Sequence, residues 1–255
     1  MKVAIITRHA VANYGSILQA YATQEVINDL GYESEIINYV RKDEKGLKIS
    51  DTMLRRNKNW NKNFVTETIY RILQTPIYAA TYYKFKQFRK KLLRESEREY
   101  SDLNELNTYP GVDTYCTGSD QVWGKVGNQD FDPNYFLDFA PKDVKCISYA
   151  ASFGNDNISE KLKEVITELL SKYSHVTVRE NSAVLQLEKF GVHAQQVLDP
   201  TLLLTKEKWE SISKLKTKTT GYVLVYQLHG DKKLEKYADE FSKRTNKQHT
   251  LQKDN

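Results

Sequence analysis

Val3-Ala4-Ile5-Ile6-Thr7 is short, β-branched and almost wholly apolar, and a polar loop from His9 to Gly15 follows it. Such a run reads as a strand buried on both faces. Ser16 to Leu30 reads as a helix, with Ser16 placed for an N-cap and Gly31 where a helix ends in a left-handed residue. Glu33–Val40 follows as a second strand carrying Ile36, Ile37 and Val40. Strand, helix and strand within about 40 residues make a parallel crossover unit.

The same rhythm returns further along. Val112–Thr117 and Lys145–Ala151 read as strands, Ile158–Tyr173 as an amphipathic helix, and His175–Val178 as a strand. Asn181–Phe190 is then a helix closed by Gly191, and Ala194–Leu198 a strand ending in Asp199-Pro200. Alternation of this kind indicates an α/β fold with a doubly wound sheet. The spacing places a first domain over 1–203, a linker over 204–220 and the start of a second domain over 221–255. That second piece offers one strand, Tyr222–Gln227, and one helix, Lys232 to about Arg244. Its tail, Asn246 to Asn255, is polar where a further buried strand is due. A core of this type needs roughly 50 residues or more, so the second domain is expected to be truncated.

Composition bounds the function. The chain has 255 residues, 40% of them hydrophobic, which is enough for a core. No apolar run approaches the ~18 residues of a membrane span, and the first residues do not form a secretory signal. Cys116 and Cys146 lie within apolar strands and read as buried thiols. A cytoplasmic protein is expected. The net charge of +5 is uneven: residues 41–100 carry sixteen Lys/Arg against seven Asp/Glu. This segment reads as a basic insertion of two or more helices, with Phe85, Phe88 and Leu92 on one helical face. It is either a solvated helix docked by its aromatic stripe or a face for an anionic membrane surface. Nucleic acid is not expected, since no recognition motif accompanies the charge.

In open α/β sheets, ligands gather where the strands end at their carboxyl side. Asn13-Tyr14-Gly15-Ser16 stands there at a helix N-terminus, and reads equally as an anion cradle or as a tight turn with a serine cap. Gly118-Ser119-Asp120-Gln121-Val122-Trp123 offers a glycine, hydrogen-bonding side chains and an indole as a sugar platform; an Asx-type cap explains Ser119 and Asp120 as well. Ser152 and Phe153 close another strand end, where packing alone could account for them. Arg179, just past a strand, is placed to hold a carboxylate or phosphate, or to pair with Glu180. Among the histidines, His9 and His229 follow strands and could face a cleft, whereas His175 and His193 stand at the amino ends. No spacing of metal ligands stands out.

Five segments together resemble the polysaccharide pyruvyl transferase family. They are Asn13–Ala22, Thr117–Trp123, Ser148–Gly154, Val178-Arg179-Glu180 and Val197–Thr201, in the family's order and rough spacing over residues 1 to about 240. The resemblance implies two Rossmann-like domains facing each other across a cleft, as in GT-B glycosyltransferases. It implies transfer of a pyruvyl group from phosphoenolpyruvate to two hydroxyls of a surface-polysaccharide sugar, forming a ketal, with no redox cofactor or metal. The acceptor would be a glycan or a lipid-linked glycan, met at the inner face of the membrane. On the family's pattern Arg179 binds the anion, while Asp120, Ser119 and Gln121 line the acceptor side. The family also carries a histidine turn that is a candidate proton donor. Leu228-His229-Gly230 spells it but stands too early, after the second domain's first strand, so the true element is expected beyond residue 255. The alternatives are a GT-B-like glycosyltransferase using a nucleotide sugar, and a non-catalytic remnant.

Overall fold

The computed structural model describes residues 1–45, 48–126, 129–155, 158–213, 222–227 and 230–253. It divides into two compact units, Met1–Lys206 and Glu207–Asn255.

In the first unit β1 (Lys2–Ile6) leads into α1 (Tyr14–Asp29) and β2 (Glu33–Ile36). β1 is deeply buried, with Ala4, Ile5 and Ile6 fully enclosed. Ser16 is not the cap of α1. Asn13 is, and its side chain accepts from the Ser16 backbone N–H. Gly31 takes φ +85° just past the helix, a conformation that L side chains rarely adopt. The insertion then contributes α2 (Lys48–Arg56), α3 (Phe64–Leu92) and the single turn α4 (Leu103–Leu106). It rejoins the sheet edge through parallel bridges Ile36–Glu95 and Tyr39–Tyr100.

Next come β3 (Thr114–Thr117), β4 (Lys145–Ser148), α5 (Lys163–Leu170) and β5 (Tyr173–His175). These five strands form one all-parallel sheet in the order β2-β1-β3-β4-β5. β4 is shorter than expected because the chain turns at Ala150, φ +52°. The single strand expected over 175–178 is broken into β5 and β6 (Thr177–Val178), and β6 pairs with β7 (Gln195–Gln196) across α6 (Asn181–Lys189). Bridges Asp120–Ala151 and Ala151–Val178 stitch these strand ends together.

Aromatic side chains fill the core. Trp123 is buried, stacks on Phe136 at 5.1 Å and donates through Nε1 to the Tyr135 carbonyl. The indole expected as a sugar platform is therefore a core residue. Phe153 packs against it at 5.3 Å.

The expected linker carries a helix, α7 (Lys206–Ile212), and residues 214–221 lie outside the described residues. In the second unit β8 (Tyr222–Gln227) and α8 (Lys232–Thr245) stand where the sequence placed them. The polar tail, however, forms a strand, β9 (Gln248–Lys253), parallel to β8 over six residue pairs. Backbone pairing needs no apolar side chain, which is why polarity alone concealed it.

Gly124 fixes how the 118–126 loop packs on the 150–154 loop, because a Cβ there would lie 2.4 Å from the Phe153 carbonyl oxygen. Backbone must move to admit it. Gly124→Ala is expected to destabilise the chain by about 1–3 kcal/mol, read as a lower midpoint in urea unfolding.

Candidate functional site

β2 and β3 flank β1 on opposite sides, so the chain leaves the carboxyl end of β1 one way and returns on the other. Such a switch point opens a crevice between the two loops. Here the crevice is a hollow of about 510 Å³. Arg8 and Asn13 approach it from the β1–α1 loop, Ser16 from α1, Asp120, Gln121 and Lys125 from the loop after β3. Asp43 and Glu44, and Ile49, Thr52 and Met53 of α2, close the remaining side.

Asp120 is the best-defined group. One carboxylate oxygen accepts from Ser16 Oγ at 2.6 Å and the other from the Gln121 backbone N–H at 2.7 Å. Its φ is +90°, a strained value for a non-glycine residue that persists only where surrounding contacts enforce it. Arg8 is the principal cation. Its Nη2 lies 2.7 Å from Glu44, while its buried Nε has no hydrogen-bond partner. Burial by itself would favour loss of the Arg8 proton; the neighbouring carboxylates Glu44 and Asp120 outweigh it and hold the charge. Lys125 adds an exposed ammonium. The α1 N-terminus adds its dipole.

Behind the hollow runs a buried polar tie. Thr7 Oγ1 donates to the Ser119 carbonyl and accepts from Gln19 Nε2 at 2.9 Å. Ser119 Oγ donates to Asp199 at 3.0 Å. Asp199 also accepts from Arg179 Nη1 at 3.1 Å and from Thr201. Arg179 Nε reaches Glu180 at 2.8 Å, and Glu180 accepts from Ser152 Oγ at 2.9 Å. Burial of Asp199 raises its pKa, but the donors Thr201, Arg179 and Ser119 prevail and hold it below the usual carboxylate range.

The structure therefore sorts the candidate residues. Asn13, Ser16, Asp120 and Gln121 line one hollow. Gly118 presses on Thr7, where a Cβ would approach Thr7 Cβ to 3.0 Å. Gly15 sits beside the Asn13 side chain. Tyr14 packs on Phe85 and Phe88 of α3, at 4.6 and 5.4 Å. Ser119 and Ser152 are buried in the polar tie, Phe153 is in the core, and Arg179 is not among the residues lining the hollow. His229 lies outside the described residues.

His9 faces no cleft. It is fully buried, with Nδ1 3.0 Å from the Thr7 carbonyl and Nε2 3.5 Å from Glu95, which ion-pairs with buried Arg89 of α3. Arg8, Lys125 and the α2 residues were not anticipated. A signal existed for Arg8, which directly follows the first strand at the switch point.

An open parallel sheet with a mixed-charge hollow at its switch point defines an α/β protein of the kind in which ligands gather at the strand ends. The family model of polysaccharide pyruvyl transferase matches residues 13–252, and the chain belongs to that family. A comparison with curated proteins returns no match.

Burial first, and the Arg89 charge second, push His9 down to about 3, against about 6.5 in an unfolded chain. Between those values the unfolded state binds the extra proton, so His9's contribution is full above pH 6.5 and is lost as pH falls. The slope is at most about 1.4 kcal/mol per pH unit. Urea unfolding from pH 7 to 4 is expected to show this loss, and His9→Gln to flatten it; equal slopes in the two proteins would contradict it.

Proposed function

We propose that this chain holds phosphoenolpyruvate in the hollow at the β1/β3 switch point and serves its transfer, as a pyruvyl group, to two hydroxyls of a glycan. The reading is supported by family membership together with Asp120, which is strained and hydrogen-bonded at the lip of that hollow. The donor carries a phosphate and a carboxylate. Arg8, with its unpartnered Nε, Lys125 and the α1 N-terminus are the groups assigned to those anions.

In the reaction a proton adds to the donor's methylene carbon, and positive charge develops at C2. A sugar hydroxyl attacks C2, the C2–O bond to phosphate breaks, and a second hydroxyl closes the ketal. Two hydroxyl protons are released; one balances the proton gained by the methyl group and the other leaves with phosphate. Asp120 is assigned to accept the proton of the attacking hydroxyl, with Gln121 beside it on the acceptor side. Arg179, matched by Asp199 and Glu180, is assigned a positioning role through Ser119, whose carbonyl and hydroxyl anchor the residue before Asp120. Two Rossmann-like domains in a GT-B-like arrangement belong to this reading.

Calorimetry on the full chain tests it. Phosphoenolpyruvate is expected to bind, and Arg8→Gln with Lys125→Gln to weaken binding about 10–100-fold, the loss expected for charge-assisted contacts of 1.5–3 kcal/mol. Asp120→Asn is expected to leave donor affinity within a few-fold. Heat from a nucleotide sugar in place of phosphoenolpyruvate would overturn this reading in favour of a glycosyltransferase.

A further inference from the structure

We infer that the outer face of α3 docks on an anionic phospholipid surface. α3 spans 29 residues, about 44 Å at 1.5 Å per residue. One of its faces is docked on the first unit, with Tyr70, Tyr82 and Arg89 buried. The opposite face should be polar in a helix that simply meets water. It is not. Val65, Ile69, Ile72, Leu73, Ile77 and Tyr83 are all exposed, Ile72 at 68% and Tyr83 at 62%. At 100° per residue these six fall within an arc of about 140°.

The same arc continues into Lys84, Lys90 and Lys91, all exposed. Glu67 is the only acidic residue of α3, and it falls outside the arc, turned toward Arg71 at 3.7 Å. The face is thus an aliphatic strip of about five turns running into a cationic end, with Tyr83 at the junction. With α3 lying in the plane of a leaflet, the aliphatic strip would enter the headgroup–acyl boundary while Tyr83 and the lysines at its end meet the interface and the phosphates. A second copy of the face would offer those lysines no carboxylate. No helix among the described residues is long and apolar enough to cross a membrane, so the contact is a peripheral one.

The strip is tied to the hollow. On its inner side Phe85 and Phe88 hold Tyr14, next to Asn13, and α2, which packs on α3, supplies Ile49, Thr52 and Met53 to the hollow's wall. Docking would hold the hollow close to the leaflet. Resting on the pyruvyl-transfer reading, this selects an acceptor glycan carried on a lipid over one free in solution.

Flotation of the full chain with vesicles of phosphatidylcholine, alone or mixed with phosphatidylglycerol, is the test. The chain is expected to float with the mixed vesicles and to lose most of that binding in high salt. Ile72→Asp with Ile77→Asp should abolish flotation, and Lys84→Glu with Lys90→Glu and Lys91→Glu should lower partitioning at least tenfold. Thermal melts confirm that these exposed variants fold, and phosphoenolpyruvate calorimetry on them should be unchanged, which separates failure here from failure of the donor assignment. Absence of flotation, or flotation indifferent to both sets of substitutions, overturns the inference. So does a dimer in lipid-free solution that Ile72→Asp with Ile77→Asp dissociates, which would assign the face to a second copy.

Discussion

The buried Thr7 hydroxyl at the end of β1 donates to the backbone carbonyl of buried Ser119, just past β3, and ties the carboxyl ends of these two neighbouring strands together. Everything at the site follows from that tie. Gly118 lets the two ends approach, Gln19 completes the polar network from α1, and Asp199 carries it outward to Arg179. An unpaired hydroxyl at this depth would cost about 1–3 kcal/mol. The network is therefore effective only when nearly all of its members are present, and it fixes Asp120 by fixing Ser119 beside it. The strain at Asp120 is held from both sides, by Ser16 on one and by the bridge to Ala151 on the other.

A second ionic cluster does comparable work for the insertion. His9, Arg89 and Glu95 meet in the interior where the β1–α1 loop, the end of α3 and the returning chain converge. Neutral His9 fills space beside an ion pair and is withdrawn from proton transfer. The insertion is thereby pinned to the loop that lines the hollow. It contributes a wall of the site on one side and presents its aliphatic strip on the other.

Much of the frame was legible in the sequence. Buried β-branched runs at Val3–Thr7 and Val112–Thr117, helices closed by Gly31 and Gly191, and motif loops at the strand ends are short-range signals, and they located β1, β3, α1 and α6. What a linear pattern does not carry is the direction in which a loop residue points. Trp123 sits in a polar motif yet is enclosed by Phe136, Phe153 and Tyr173, which come from distant segments. His9 and Asn13 stand in one loop, four residues apart, and only Asn13 reaches the hollow. For Arg179 the sequence offers an anion site or a pair with Glu180; the Glu180 pair is present, and the second partner, Asp199, lies 20 residues away and meets Arg179 only in the folded chain. The insertion's part in the hollow was hidden for the same reason.

The proposed donor site is tested most directly by whether, and where, phosphoenolpyruvate binds. Backbone amide shifts of the isotopically labelled full chain, followed as phosphoenolpyruvate is added, should move and saturate around residues 8–16 and 118–126 and stay still elsewhere in the first unit. Shifts centred instead on a second hollow, bordered by His175 and His193, or none that saturate, would contradict placement of the donor at the switch point.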